Sequence, residues 1–147
     1  MKLALIVVLG GALAVSPLAA EKKVKLESLP AAVQAAIKEQ TQGATLVGVS
    51  KEKEKGKTRY EVEMKAGGKT RDLTLDSAGQ VVLLEEEVDI SSIPAAARAA
   101  IEKKAGGRKI ELVEKVTQAG SVRYESKIKK GLRSSEFTVN PDGTVYK

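Results

Sequence analysis

Between residues 57 and 66 the chain alternates. Thr58, Tyr60, Val62 and Met64 fall on one side of an extended backbone, and Arg59, Glu61, Glu63 and Lys65 on the other. Residues 121–130 repeat this, with Val122, Tyr124, Ser126 and Ile128 set against Arg123, Glu125, Lys127 and Lys129. Period two with one apolar side predicts half-buried antiparallel strands. Elsewhere the period changes. Leu29, Val33, Ala36 and Ile37 recur at helical spacing, as do Ile93, Ala97, Ala100 and Ile101. Pro30 and Pro94 suit a first helical turn, where a missing N–H costs nothing. Gly43 and Gly106-Gly107 fit helix ends. Turn signals fall at Lys55-Gly56-Lys57, Gly67-Gly68 and Asp76-Ser77-Ala78-Gly79, and again at Ala119-Gly120, Gly131-Leu132 and Asn140-Pro141-Asp142-Gly143. The strands predicted are 44–54, 57–66, 69–76 and 80–88, then 108–118, 121–130, 133–140 and 144–147.

The two series are one pattern written twice. "LPAAVQAAI" at 29–37 returns as "IPAAARAAI" at 93–101, and the 64-residue offset continues without a gap. Of 55 aligned positions 18 are identical, among them Pro30/Pro94, Arg59/Arg123, Tyr60/Tyr124 and Gly79/Gly143. The expected fold is α+β: two tandem helix-plus-four-strand units, with antiparallel sheet covered on one face by helices. The units span 21–88 and 93–147, joined at 89–92. A unit of about 60 residues is marginal alone, so the two are expected to touch.

Register follows from the turns. A two-residue turn at Gly67-Gly68 sets Tyr60 opposite Leu75, Val62 opposite Leu73 and Lys65 opposite Thr70. One at Gly131-Leu132 sets Tyr124 opposite Val139, Ser126 opposite Phe137 and Lys127 opposite Glu136. Glycine at the first turn position suits type II′ geometry. Tyr60 and Tyr124 are expected under the helices. Arg59 and Arg123 then face the other way, so neither Arg-Tyr pair builds one pocket.

Residues 1–20 stand apart. Lys2, an apolar run from Leu3 to Val15 and the small-residue stretch Ser16-Pro17-Leu18-Ala19-Ala20 have the pattern of a secretory leader, with cleavage between Ala20 and Glu21. The run is short of the roughly 20 residues that span a bilayer. Export to the periplasm or beyond is expected, with membrane contact only through the leader.

Composition narrows the chemistry. There is no Cys and no His, so there are no disulfides, and the commonest general base and transition-metal ligand are missing. No Gly-rich phosphate loop is present. An enzyme is not expected, nor a cofactor or metal. Glu85-Glu86-Glu87 with Asp89 suggests a hard-cation site, but alternation sends Glu86 away from its neighbours, and a solvated strand end is the expectation. Asp76–Gly79 and Asn140–Gly143 read as turns, lacking the further oxygen ligands of a calcium loop.

Charge is uneven. Residues 21–92 carry 12 basic and 13 acidic side chains; residues 93–147 carry 12 and 6. Lys127, Lys129, Lys130 and Arg133 gather on one hairpin and are the candidate partner-binding residues. Export and the lack of stacking aromatics argue against nucleic acid. An acidic protein or an anionic envelope surface fits this hairpin, as does a plain solvated face.

A leader followed by units that open with "(L/I)PAA…AAI" and close with Asp/Asn, Gly and Val resembles the PepSY-like family, and more narrowly its β-lactamase-inhibitor-like branch. The resemblance covers the whole chain after the leader. It implies exported proteins that bind other proteins, with peptidase regulation suggested for the wider family, and no catalysis. It also implies an aromatic-rich concave face and an acidic inserted loop in true inhibitors. Here the hairpin tips Lys65–Lys69 and Lys129–Arg133 are basic and without aromatics, so β-lactamase inhibition does not follow. The function expected is a non-enzymatic protein-binding module, its partner an exported peptidase or an acidic envelope component. A structural or small-ligand sensor domain is the alternative.

Overall fold

The computed structural model describes residues 22–147; the expected leader and its Ala20–Glu21 cut lie outside them. The elements are β1 (Lys22–Lys23), α1 (Ala31–Gln40), β2 (Thr45–Glu54), β3 (Lys57–Ala66), β4 (Lys69–Asp76), β5 (Val81–Glu87), α2 (Ala95–Ala105), β6 (Ile110–Gln118), β7 (Ser121–Lys130) and β8 (Arg133–Val139). All eight strands form one antiparallel sheet in chain order.

This corrects the expected two helix-plus-four-strand units. β5 pairs directly with β6, Leu84 to Thr117 and Glu87 to Glu114, so the strands before and after α2 belong to a single unbroken sheet rather than to separate units. The predicted strand 144–147 is absent: after the Asn140–Gly143 turn the chain makes a single bridge, Val145 to Val139. Conversely, Lys22–Lys23 joins the edge beside Ser50 and Lys51, which the sequence pattern did not show. Two residues are too few for periodicity to register. Pro30 and Pro94 also sit one position earlier than expected. They are N-caps whose ψ of 143° and 139° keeps them outside the helix.

Both helices lie on one face. Val33 and Ile37 of α1 pack with Tyr60, Val62, Met64, Leu73 and Leu75. Ala97 and Ile101 of α2 pack with Val113, Tyr124 and Val139. Burying an aliphatic side chain stabilises by about 1.5–3 kcal/mol, so each helix is held by its stripe. Alanine elsewhere on the stripe lets backbones approach. A Cβ on Gly79 would lie 2.5 Å from the Ala32 carbonyl oxygen, and one on Gly143 2.6 Å from that of Ala96. The turns after β4 and β8 are thus wedged against the first turns of the helices. Between the two cores the helix-covered face is polar, where Glu86 pairs with Lys115 and with Arg71 at 3.5 Å.

The hairpin registers form as derived. Tyr60 faces Leu75 and Val62 faces Leu73; Tyr124 faces Val139 and Lys127 faces Glu136. The first turn differs in type. Gly67 and Gly68 both have positive φ, +57° and +82°, which is type I′ and not II′. A bulge between Leu46 and Gly48 recurs between Ile110 and Leu112.

Candidate functional site

Residues out of phase with the cores share the helix-free face of the sheet. The registers line them up in rows. One row runs Glu63, Asp72, Glu85, Val116 and Arg123. The next runs Lys65, Thr70, Glu87, Glu114, Glu125 and Thr138. Neither helix covers this face, yet its floor is buried: Val116, Glu114, Arg123 and Glu125 are all shielded from solvent.

The floor is a carboxyl cluster. Glu114 faces Glu125 across the β6–β7 pair and Glu87 across β5–β6. Burial, then repulsion from Glu114, Glu125, Asp72 and Glu61, pushes the Glu85 carboxyl up to about 8. Burial and Glu125 push Glu114 up to about 7. Glu125 is raised by burial and by Glu136; it accepts from Thr138 Oγ1 at 3.3 Å. Glu87, at the rim, goes the other way, lowered first by the Thr70 backbone N–H at 2.9 Å. At neutral pH the floor therefore holds protonated and ionised carboxyls side by side. Glu85 Oε1 and Glu125 Oε1 are buried with no hydrogen-bond partner among the described residues.

This overturns the expectation of a solvated strand end at Glu85–Glu87. β5 lies mid-sheet, so Glu85 is enclosed by β4 and β6. Alternation does part Glu86 from Glu85 and Glu87, as expected. Among the described residues no group of three His, Cys, Asp or Glu has the geometry to hold a metal ion.

The basic hairpin residues are only partly brought together. Lys130 and Arg133 face each other at the exposed β7–β8 tip, beside a fully exposed Leu132. Lys127 lies opposite Glu136. Lys129 is 3.6 Å from Glu111, which also accepts from the Ser134 hydroxyl. The free positive charge is thus at the tip, with two of the four candidates locally matched by carboxylates.

A second feature lies where β6 turns into β7. A cavity of about 390 Å³ is lined by Gln118, Ser121, Arg123, Asn140 and Tyr146 among others. Arg123 stacks on the Tyr146 ring at 4.8 Å and donates from Nη1 to Gln118 Oε1 at 3.1 Å. Sequence reasoning set Arg123 aside because Tyr124 points away. Its aromatic neighbour comes from the chain end, which no spacing rule links to it.

The architecture has known counterparts. No family model matches the chain, and no curated protein matches it. Solved structures do. A Bacteroides ovatus protein of the DUF2874 family is similar at TM-score 0.63 and 18 % identity, over 82 % of this chain and 86 % of that one. A BLIP-like protein from Bacteroides fragilis is similar at TM-score 0.58 and 18 % identity, over 79 % and 82 %. A Bacteroides eggerthii protein assigned by prediction to the periplasm gives TM-score 0.66 and 17 % identity, over 81 % and 86 %. The shared property is the fold, and it agrees with the inhibitor-like side of the sequence resemblance. Among the described residues no helix is long and apolar enough to cross a membrane.

Proposed function

We propose that the chain is an exported, non-catalytic binding module of the cell envelope, which engages another protein through the helix-free face and the β7–β8 tip. The observation that carries this is the face itself. Simple alternation would leave a solvated polar surface; here the floor is buried, its carboxyls are in register, and two carboxyl oxygens lack partners. A buried polar group without a partner is destabilising by roughly 1–3 kcal/mol, so the face keeps its carboxyls at a cost to stability, as a surface with a role outside the fold does. The periplasmic assignment and BLIP-like name of the structural counterparts support the location and the type. The PepSY-like resemblance adds regulation of an exported peptidase as the form this binding takes.

The test is retention of a discrete envelope protein by the exported chain, compared across two variants. Lys130→Glu with Arg133→Glu should slow association, because rim charges act mainly on the on-rate. Lys103→Glu, on the exposed side of α2, should leave it unchanged. Retention of nothing specific, or sensitivity only to Lys103→Glu, contradicts the proposal.

A further inference from the structure

The chain carries its own control for the cavity beside β6 and β7. In the first half Arg59 lies 3.7 Å from the Glu54 carboxylate. Sixty-four residues on, Arg123 takes the place of Arg59, and Gln118 that of Glu54. The ion pair has become a cation with a neutral amide partner. Arg123 is only 5 % exposed, and among the described residues no carboxylate lies within 4 Å of it. Its guanidinium has five N–H donors, and Gln118 is the hydrogen-bond partner it has among those residues. Glu125, two positions along the same strand, feels Arg123 only as its smallest influence. A buried cation without a counter-charge is strongly unfavourable unless something supplies one, and here it borders a cavity of about 390 Å³, the size of a small-molecule site.

We propose that this cavity is a carboxylate-binding site, in which the Arg123 guanidinium takes the ligand's carboxylate in the role that Glu54 plays toward Arg59. The lining suits a singly charged planar group. The guanidinium fork matches a carboxylate's two oxygens. Ser121 adds a hydroxyl, and Gln118 adds an amide that can turn its N–H outward. Tyr146 holds the guanidinium plane from its face. No lysine lines the cavity, so nothing there matches the second charge of a phosphate. The carboxylate can belong to a free organic acid or to the C-terminus of a peptide.

The test is an NMR titration of ¹⁵N-labelled exported protein at constant ionic strength. The probes are acetate, N-acetyl-Gly-Ala, its C-terminal amide, and inorganic phosphate. Acetate or the free-acid peptide should give saturable shifts at the amides of 118–123 and at Tyr146, while the peptide amide gives none. Tighter binding of acetate points to a free acid, and tighter binding of the peptide to a chain terminus. Gln118→Glu, which rebuilds the first-half pair, should weaken binding at least tenfold with the spectrum otherwise folded. Arg123→Lys should weaken it at least several-fold, since the fork is lost. No saturable shift in wild type, equal binding of the peptide amide, tighter binding of phosphate, or undiminished binding by folded Gln118→Glu would each overturn the proposal.

Discussion

Raising the pH should destabilise this protein across a window where most proteins are indifferent. In the folded chain Glu85 is pushed from 4.5 to about 8 and Glu114 from 4.5 to about 7. Between those limits the folded state holds protons that the unfolded state has released. Stability contributed by these groups is complete below about pH 4.5 and is lost as pH rises through 7 and 8. Going from 4.5 to about 8, at about 1.36 kcal/mol for each tenfold change in acidity, is roughly 5 kcal/mol for Glu85. Glu114 adds less than its own shift suggests, because the repulsion between the two is one interaction shared by both. A loss of about 3–5 kcal/mol between pH 5 and pH 9 follows, against a total of about 5–15 kcal/mol for a domain. The window is clean because the chain has no His and no Cys. Urea unfolding followed by circular dichroism at pH 5, 6, 7, 8 and 9 measures it. With a slope of about 1–3 kcal/mol/M, the wild-type midpoint should fall by about 2 M. Glu85→Gln should be near neutral at pH 5 and stabilising by about 2–4 kcal/mol at pH 9. A flat wild-type profile, or a Glu85→Gln chain that keeps the full slope, would refute the carboxyl cluster as described.

Two other outcomes rest on contacts in the structure and a third on the leader pattern. Gly79→Ala and Gly143→Ala force a Cβ against the Ala32 and Ala96 carbonyls at φ of +80° and +83°; each should lose about 2–4 kcal/mol in thermal denaturation, whereas Gly67→Ala, with open space around it, should lose about 1–2 kcal/mol. Lys130→Glu with Arg133→Glu should lower the association rate for an acidic partner and flatten its salt dependence while leaving Tm within a few degrees; no change in salt dependence would discard the tip. N-terminal sequencing of exported protein should read from Glu21 or close to it, and a start at Met1 would contradict the leader.

The hairpins were legible because their information is local. Gly67-Gly68 and Gly131-Leu132 fix the turn, alternation fixes the face, and Tyr60 and Tyr124 can then be buried only one way. The helices were legible for the same reason, through Val33, Ile37, Ala97 and Ile101. What was not legible depends on pairing across α2. Glu85 is an exposed strand end until β5 meets β6, and a buried carboxyl afterwards. The 64-residue repeat favoured two equal units; it could not show that 144–147 stops at one bridge, since Val145 follows the same turn pattern as Val81. The cavity at Arg123 was missed because Tyr146 comes from the far end of the second half. One signal was present: the repeat keeps the arginine but exchanges Glu54 for Gln118, a lost charge that marks the place.

If the helix-free face is the one that meets a partner, lysine crosslinking in the native envelope will show it. The chain has lysines on both sides. Lys65, Lys127, Lys129 and Lys130 belong to the helix-free face and its rim, while Lys38, Lys103 and Lys104 are exposed on the helices. Crosslinks to another protein, mapped by mass spectrometry, should concentrate on the first set and disappear when the purified exported chain is added in excess as competitor. Crosslinks concentrated on Lys38, Lys103 and Lys104, or none that the competitor removes, would contradict it.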